Sequence, residues 1–260
     1  MIKKNGLLVA ATLVALASGA AQANTVALSN IEALWYDGTP AANVTYLNNP
    51  STITASARWG VPAGGAGPSG YDFKIATQPL TFVVPPSPAP NQVLGTFTHL
   101  NQPINAGSSI TGIKLSIGAD VVINGAAFVR KTFNYNFDHW ETPNADNPCA
   151  DGGTVGIGVN VNGCADRVIA HWSSVSDSFT VGTDTYTLNV VGFSLTPNGL
   201  NPFTSFWTAE QNNNVAYLLA NVALTSDVQN APEPGSMALV GLALAGMGLV
   251  RSAKFSKPKV

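Results

Sequence analysis

The chain has few charged side chains, few cysteines and no long apolar run. Charged residues make up 10% of its 260 residues, and it contains two cysteines and three histidines. No apolar stretch reaches the 18 or more residues that are typical of a stable transmembrane helix. The motifs G-x-S-x-G, H-E-x-x-H and Gly-Lys-Ser/Thr do not occur, which argues against the hydrolases, peptidases and nucleotide-binding enzymes that use them. Glycoside hydrolases need only two carboxylates, so that class of enzyme stays open.

The N-terminal residues have the three parts of a secretory signal peptide. Lys3 and Lys4 form a basic start, residues 7–17 are apolar, and the small residues that follow end in Ala23. This pattern predicts a signal peptide over residues 1–23, with cleavage after Ala23. The alternative is an N-terminal membrane anchor, which the short apolar run disfavours because an anchor needs about 20 apolar residues.

The C-terminal residues combine a proline-rich motif, an apolar run and a basic tail. Pro232, Glu233 and Pro234 precede a predicted transmembrane helix over residues 236–250, and a tail with four cations occupies residues 251–260. The 14 residues from 237 to 250 rise about 21 Å as a helix, against a hydrocarbon core of about 30 Å, so the anchor is marginal. The cations predict that this tail is cytoplasmic and that the rest of the chain is exported.

Together these C-terminal features resemble the PEP-CTERM sorting domain of exopolysaccharide-producing Gram-negative bacteria. The resemblance covers about the last 28 residues, within a sorting segment that we place at residues 231–260. It implies recognition by an exosortase, a membrane enzyme that cuts near the Pro-Glu-Pro motif after transient anchoring in the inner membrane. The alternative is a simple tail anchor that follows a proline-rich linker.

Removal of the two basic ends makes the middle of the chain acidic. The whole chain has 12 basic and 14 acidic residues. Residues 24–230 contain six of the basic and 13 of the acidic residues, which gives this part a formal charge of −7. Because nucleic-acid phosphates require clustered Lys and Arg, we expect no nucleic-acid partner. Divalent cations and neutral glycans are better candidates.

The two cysteines, Cys149 and Cys164, both lie in the exported part. In an oxidising compartment they are expected to form a disulfide that closes a loop of about 15 residues. Zinc is the alternative, although the pair lacks the C-x₂₋₄-C spacing that zinc sites favour. Apolar residues alternate with Gly and Asn over residues 155–161, which predicts a stapled hairpin or a covering strand in the loop.

Period-two alternation of apolar and polar residues predicts an all-β fold. It is clearest in residues 51–59, 112–117 and 132–137. Two hairpins are predicted, one joining residues 179–181 to 185–191 and one joining residues 203–210 to 215–224, although the last run also has a composition compatible with a helix. Many short strands separated by turn signals predict one antiparallel β-sandwich of jelly-roll type over residues 24–230.

Residues 97–104 carry a second resemblance. Thr98, His99 and Asn101 form a Thr-His-x-Asn core, which in a chain with a PEP-CTERM segment resembles the THxN family of such proteins. The likeness covers most of residues 24–230 and implies no particular activity. From the residues alone, Thr98 and Asn101 are expected to stabilise a tight turn, with His99 as a structural turn residue or, alternatively, a ligand-binding group.

A candidate glycan or metal site surrounds an aromatic residue. Asp138, His139 and Glu141 flank Trp140, and an acid, an imidazole and an aromatic ring are groups that bind sugars or transition metals. The alternative for these residues is packing at the rim of the core, as it is for the similar pair His171 and Trp172.

A candidate calcium site lies beside the first cysteine. Asp146, Asn147 and Asp151 flank Cys149 in a Gly-rich loop, and calcium takes oxygen ligands from such loops. The order of residues differs from that of an EF-hand, and Asx-rich turns form without a metal. No other cofactor is expected.

These observations predict an exported cell-surface or extracellular-matrix protein without enzymatic activity. An exosortase would sort it, and its sandwich would act as a structural or adhesive module in exopolysaccharide or biofilm. The alternative is a carbohydrate-active enzyme or a calcium-dependent glycan-binding protein.

Overall fold

The computed structural model describes residues 23–49, 52–84, 87–126, 129–171, 177–182, 184–197, 199, 201–226 and 241–242. Residues 1–22 of the predicted signal peptide and the motif Pro232, Glu233 and Pro234 lie outside the described residues, as does the predicted helix over 236–250 except for residues 241 and 242. Within the described ranges, no helix combines the length and the hydrophobicity needed to cross a bilayer.

Among the described residues of the compact unit Ala23–Ser226, thirteen strands form two antiparallel sheets. One sheet has the order β12-β9-β8-β7-β1-β5, and the other has the order β10-β11-β13-β6-β4-β3-β2. The strands are β1 Asn24–Thr39, β2 Thr45–Leu47, β3 Thr54–Trp59, β4 Ser69–Ile75, β5 Leu80–Val84, β6 Gln92–Asn101, β7 Gly112–Ile123, β8 Val129–Trp140, β9 Asp166–His171, β10 Asp177–Val181, β11 Asp184–Ser194, β12 Ser205–Thr208 and β13 Asn212–Ser226. Short 3₁₀ helices occupy Ala41–Asn43 and Gly158–Asn160.

Alternation along the strands explains how the two sheets share one core. In β8, Phe133, Tyr135 and Phe137 are buried while the residues between them are exposed, because successive side chains point to opposite faces of a sheet. The buried faces of both sheets contribute to a single apolar cluster. The predicted antiparallel β-sandwich is confirmed.

Aromatic rings fill the centre of this core. Trp35 of β1 lies 5.5 Å from Tyr71 of β4 and 5.3 Å from Phe137 of β8, measured between ring centroids. Its indole Nε1 donates to the backbone carbonyl of Ala55 at 3.2 Å. Trp35 of β1 therefore contacts three other strands, β3, β4 and β8, while its one polar atom stays satisfied, as buried polar groups require.

The first predicted hairpin is confirmed and the second is wrong. Strands β10 and β11 pair as expected. Strand β12, however, pairs with β9 in the other sheet, whereas β13 lies between β11 and β6. The residues between β12 and β13 therefore cross from one sheet to the other, a choice that alternation within each run does not encode.

The disulfide between Cys149 and Cys164 is confirmed, but the structure of its loop differs from the prediction. The loop contains turns and the 3₁₀ helix Gly158–Asn160 rather than a strand. Val155, Ile157 and Val161 are exposed. Positive φ angles at Gly156 and Gly158 interrupt the extended backbone that the alternation suggested.

Candidate functional site

The ends of strands from both sheets meet around a group of buried polar side chains. We call this group the buried polar cluster. Its buried members are His99 and Asn101 from β6, His139 from β8, Asp166 from β9, and Thr208 and Glu210 at the end of β12, and the partly exposed Glu141, which follows β8, completes it.

The Thr-His-x-Asn residues lie in strand β6, so the predicted turn is wrong. His99 and Asn101 share the core-facing side of β6 with Phe97, and all three are fully buried. Thr98 lies on the opposite face. The imidazole of His99 stacks on Trp59, with 6.0 Å between ring centroids and 20° between planes.

The structure divides the predicted group at 138–141 between the two faces of β8. His139 points inward, where its Nδ1 lies 2.8 Å from the Tyr71 hydroxyl and its Nε2 lies 3.3 Å from Oε2 of Glu141. Asp138 points outward and bonds His171 at 2.6 Å. Only His139 and Glu141 of that group therefore belong to the buried polar cluster.

Asp166, Thr208 and Glu210 were not among the predicted site residues, and all three are fully buried. Oδ1 of Asp166 accepts a hydrogen bond from the backbone N–H of Thr142 at 2.7 Å. Alternation gives a signal for Asp166, because it has the same parity in β9 as buried Val168 and Ala170. Glu210 follows the crossing strand β12, whose position could not be predicted.

Titratable groups crowd together in the buried polar cluster. One ring nitrogen from each of His99 and His139 and one carboxylate oxygen of Asp166 lie within 4.8 Å of one another, and so do single oxygens of Glu141, Asp166 and Glu210. Among the described residues, no Lys or Arg forms an ion pair with any of the three carboxylates.

Burial dominates the ionisation of these groups. Burial and then the charge of Glu141 raise the pKa of Asp166. The same two causes raise the pKa of Glu210 to about 7, against the opposing effect of the nearby amides of Asn144 and Asn101. Burial lowers the pKa of His99, with a smaller contribution from His139, so its imidazole is neutral.

A cavity of about 420 Å³ opens beside the buried polar cluster. Glu141, Thr142 and Asn144 line it, together with Asn105 and Ser109. The hydroxyl of Ser109 donates to Oε2 of Glu141 at 3.0 Å. Glu141 is the partly exposed member of the cluster, with 21% of its side chain accessible, so it connects the cluster to this cavity.

A second candidate surface lies on the outer face of the six-stranded sheet. Trp140 of β8 pairs with Arg167 of β9, and Arg167 pairs with Trp207 of β12, so the three side chains form one lateral row. We call it the outer aromatic row. The tryptophan centroids are 5.8 Å apart, and the Arg167 guanidinium lies 5.6 Å from the Trp207 ring. Trp140 is 48% exposed.

Of the calcium candidates, Asp146 and Asn147 precede Cys149, whereas Asp151 lies within the disulfide loop. Oδ1 of Asp151 accepts hydrogen bonds from the Gly153 N–H at 2.8 Å and from the Asn160 amide at 3.0 Å. Asp146 and Asn147 are exposed. Protein donors therefore already satisfy the best-placed carboxylate of this group.

Comparison with known proteins identifies the C-terminal segment. Residues 230–252 match the family model of the PEP-CTERM protein-sorting motif. No curated protein matches the chain. The motif implies that the protein is exported, is anchored transiently in a membrane and is processed by an exosortase.

Proposed function

We propose that this protein is a non-enzymatic component of the cell surface or extracellular matrix of a Gram-negative bacterium, where its sandwich adheres to exopolysaccharide in a biofilm. The observation that carries the adhesive role is the outer aromatic row of Trp140, Arg167 and Trp207. The sorting motif supports the location, because it directs an exported protein to exosortase processing.

The chemistry of the outer aromatic row suits a sugar chain with little charge. Aromatic rings offer apolar faces on which the C–H groups of a sugar can pack. The Arg167 guanidinium donates to Ser205 Oγ at 3.1 Å and has further N–H donors for sugar hydroxyls. The net charge of −7 over residues 24–230 disfavours a strongly anionic polymer by repulsion.

The carboxylates of the buried polar cluster favour a non-enzymatic role over glycoside hydrolysis. A glycosidase places two carboxyl groups on either side of a sugar bond, with room for the sugar between them. Asp166 and Glu210 are fully buried, and single oxygens of these two residues lie within 4.8 Å of each other. A sugar ring does not fit between groups that are this close and this enclosed.

Affinity electrophoresis tests the adhesive role. All described strands lie within 24–226, as does every residue of the apolar core, so the 24–231 fragment is a suitable sample. In gels that contain exopolysaccharide from the producing strain, we expect the fragment to be retarded. Loss of both rings in Trp140→Ala/Trp207→Ala is expected to weaken binding about 10-fold or more, since each ring contributes on the order of 1 kcal/mol.

A matched control lies on the same face of the same sheet. Tyr36 of β1 points outward, opposite to buried Trp35, so Tyr36→Ala removes an aromatic ring outside the outer aromatic row. This control is expected to migrate like the unmodified fragment. Equal retardation of the double variant and the parent, or no retardation of the parent, would count against the adhesive role.

A further inference from the structure

We propose that the buried polar cluster binds one divalent transition-metal ion of the zinc type through His99, His139 and Asp166, with a carboxylate from Glu210 or Glu141 completing its coordination. The site would join strands of the two sheets at one end of the sandwich. It is independent of the adhesive surface, because the outer aromatic row lies on the opposite face of β8 and β9.

The hydrogen bonds of His99 leave a nitrogen lone pair facing the cluster. Thr208 donates its single hydroxyl proton to the backbone carbonyl of Asp166 at 3.0 Å. Its oxygen must therefore accept the 2.9 Å bond from Nδ1 of His99, which places the ring proton on Nδ1. Nε2 is then an acceptor, and it is fully buried with no hydrogen-bond partner among the described residues.

Nε2 of His99 is one of several buried acceptors in this region. Within the described part of the chain, hydrogen-bond partners are also missing for Oδ1 of Asn101, Oδ1 of Asn144, Oδ2 of Asp166 and both carboxylate oxygens of Glu210. The side-chain amides of Asn101 and Asn144 lie near Glu210. Nε1 of Trp59 is an unpartnered donor beside the two imidazoles, and a single indole proton does not satisfy six acceptors.

A bound cation accounts for this excess of acceptors and for the missing positive charge. Buried polar atoms without partners are rare in folded proteins, and a group of them points to an ion or a water. Three carboxylates that share a buried region without Lys or Arg repel one another unless they are protonated or neutralised by a cation. A divalent ion supplies positive charge to offset the carboxylates, and it accepts the lone pair of Nε2 of His99.

The donor types select the class of ion. Calcium and magnesium prefer sites made only of oxygen, whereas imidazole nitrogen suits zinc and its neighbours in the first transition row. Two imidazoles and a carboxylate are a common ligand set for zinc. The surroundings also match those of metal-binding histidines, because Thr208 holds Nδ1 of His99 and Tyr71 holds Nδ1 of His139.

Metal analysis of the 24–231 fragment tests the site. We expect the fragment, freed of metal by chelation, to take up one equivalent of Zn²⁺ in isothermal titration, to bind Ca²⁺ at least about 10-fold more weakly, and to melt at a higher temperature with Zn²⁺ than without it. Substitution with Co²⁺ is expected to give the visible absorption of a nitrogen- and oxygen-ligated ion. His99→Ala is expected to abolish stoichiometric uptake.

Two further variants separate ligation from folding. Thr208→Val keeps the shape of the side chain but removes the partner of Nδ1, and it is expected to weaken Zn²⁺ binding about 10–100-fold. His171→Ala removes the remaining histidine, which bonds Asp138 on the outer face, and is expected to bind Zn²⁺ like the parent. If His99→Ala does not fold, Zn²⁺ binding by the parent and by Thr208→Val still tests the proposed site.

Three results would overturn the proposal. The first is a parent fragment that takes up no transition metal and whose melting temperature does not respond to Zn²⁺. The second is uptake that His171→Ala reduces as much as His99→Ala does. The third is a preference for Ca²⁺ over Zn²⁺.

Discussion

The three histidines of the chain occupy two environments, and the parity of each residue in its strand decides which. His99 and His139 share the inward faces of β6 and β8 with buried aromatic residues, whereas His171 ends β9 on the exposed face and bonds Asp138. The inward pair meets the carboxylates of the other strands. Side-chain direction thus separates the two candidate metal ligands from a histidine that forms a hydrogen bond at the surface.

An acid-sensitive contact is expected at Asp120 of β7. It accepts hydrogen bonds from Asn30 at 2.7 Å and from Arg130 at 3.1 Å. The bond from Asn30, and after it Arg130, lower the pKa of Asp120 despite some desolvation. A lowered folded-state pKa stabilises the fold above the unfolded pKa, and that stability is lost as the pH falls through the folded-state pKa.

We therefore expect Asp120→Asn to lower the melting temperature at neutral pH, with the difference from the parent narrowing below about pH 4. Thermal melts of both proteins between acidic and neutral pH measure this difference. Asp146→Asn, at an exposed loop position, is the control and is expected to melt like the parent throughout. A constant difference across the pH range would contradict the role given to Asp120.

Strand alternation predicted the elements of the sandwich better than their pairing. Strands β3, β7 and β8 form where alternation predicted strands, in residues 51–59, 112–117 and 132–137, and they bury the expected faces. Ile53 is the exception, with 55% exposure, because β3 begins after it. Alternation reports which face of a strand is apolar, and that is a local property. Which sheet a strand joins depends on contacts far along the chain, so the pairing of β12 was missed.

The same limit explains how much of the candidate site could be predicted. His99, His139 and Glu141 were recognised as candidate residues from their types and neighbours, but nothing local brings β6, β8, β9 and β12 to one end of the sandwich. Asp166 could have been placed on the inward face by its parity with Val168. Glu210 has no such signal, because its burial follows from the crossing between the sheets.

The disulfide loop contributes to the stability of the fold through its crosslink. Cys149 and Cys164 are 15 residues apart, and Thr142, next to the cluster, donates to the carbonyl of Ala165 at 3.0 Å. Loss of a crosslink of this length in Cys149→Ala/Cys164→Ala is expected to reduce the free energy of unfolding by about 3 kcal/mol. Urea unfolding of the two proteins measures the difference.

A control within the same loop isolates the crosslink. Ile157 is 69% exposed, so Ile157→Ala changes an apolar side chain of the loop without removing core contacts, and is expected to unfold like the parent. A double cysteine variant that is as stable as this control would mean that the crosslink contributes little to the folded state.

At the scale of the whole molecule, the chain combines a folded domain with a sorting signal. Strand β13 ends at Ser226 and the matched sorting motif begins at residue 230. Only a few residues therefore separate the sandwich from the segment that the exosortase recognises. Cleavage near Pro232, Glu233 and Pro234 would release the sandwich with its core intact, since every residue of that core precedes the motif.

Intact-mass spectrometry of the exported protein tests this account most directly. From cells with the exosortase, we expect a mature chain that begins at Asn24 and ends near the Pro-Glu-Pro motif, without the apolar run and the basic tail. From cells that lack the enzyme, we expect a larger form that stays in the membrane and keeps residues 251–260. The same mass and the same location in both strains would contradict the account.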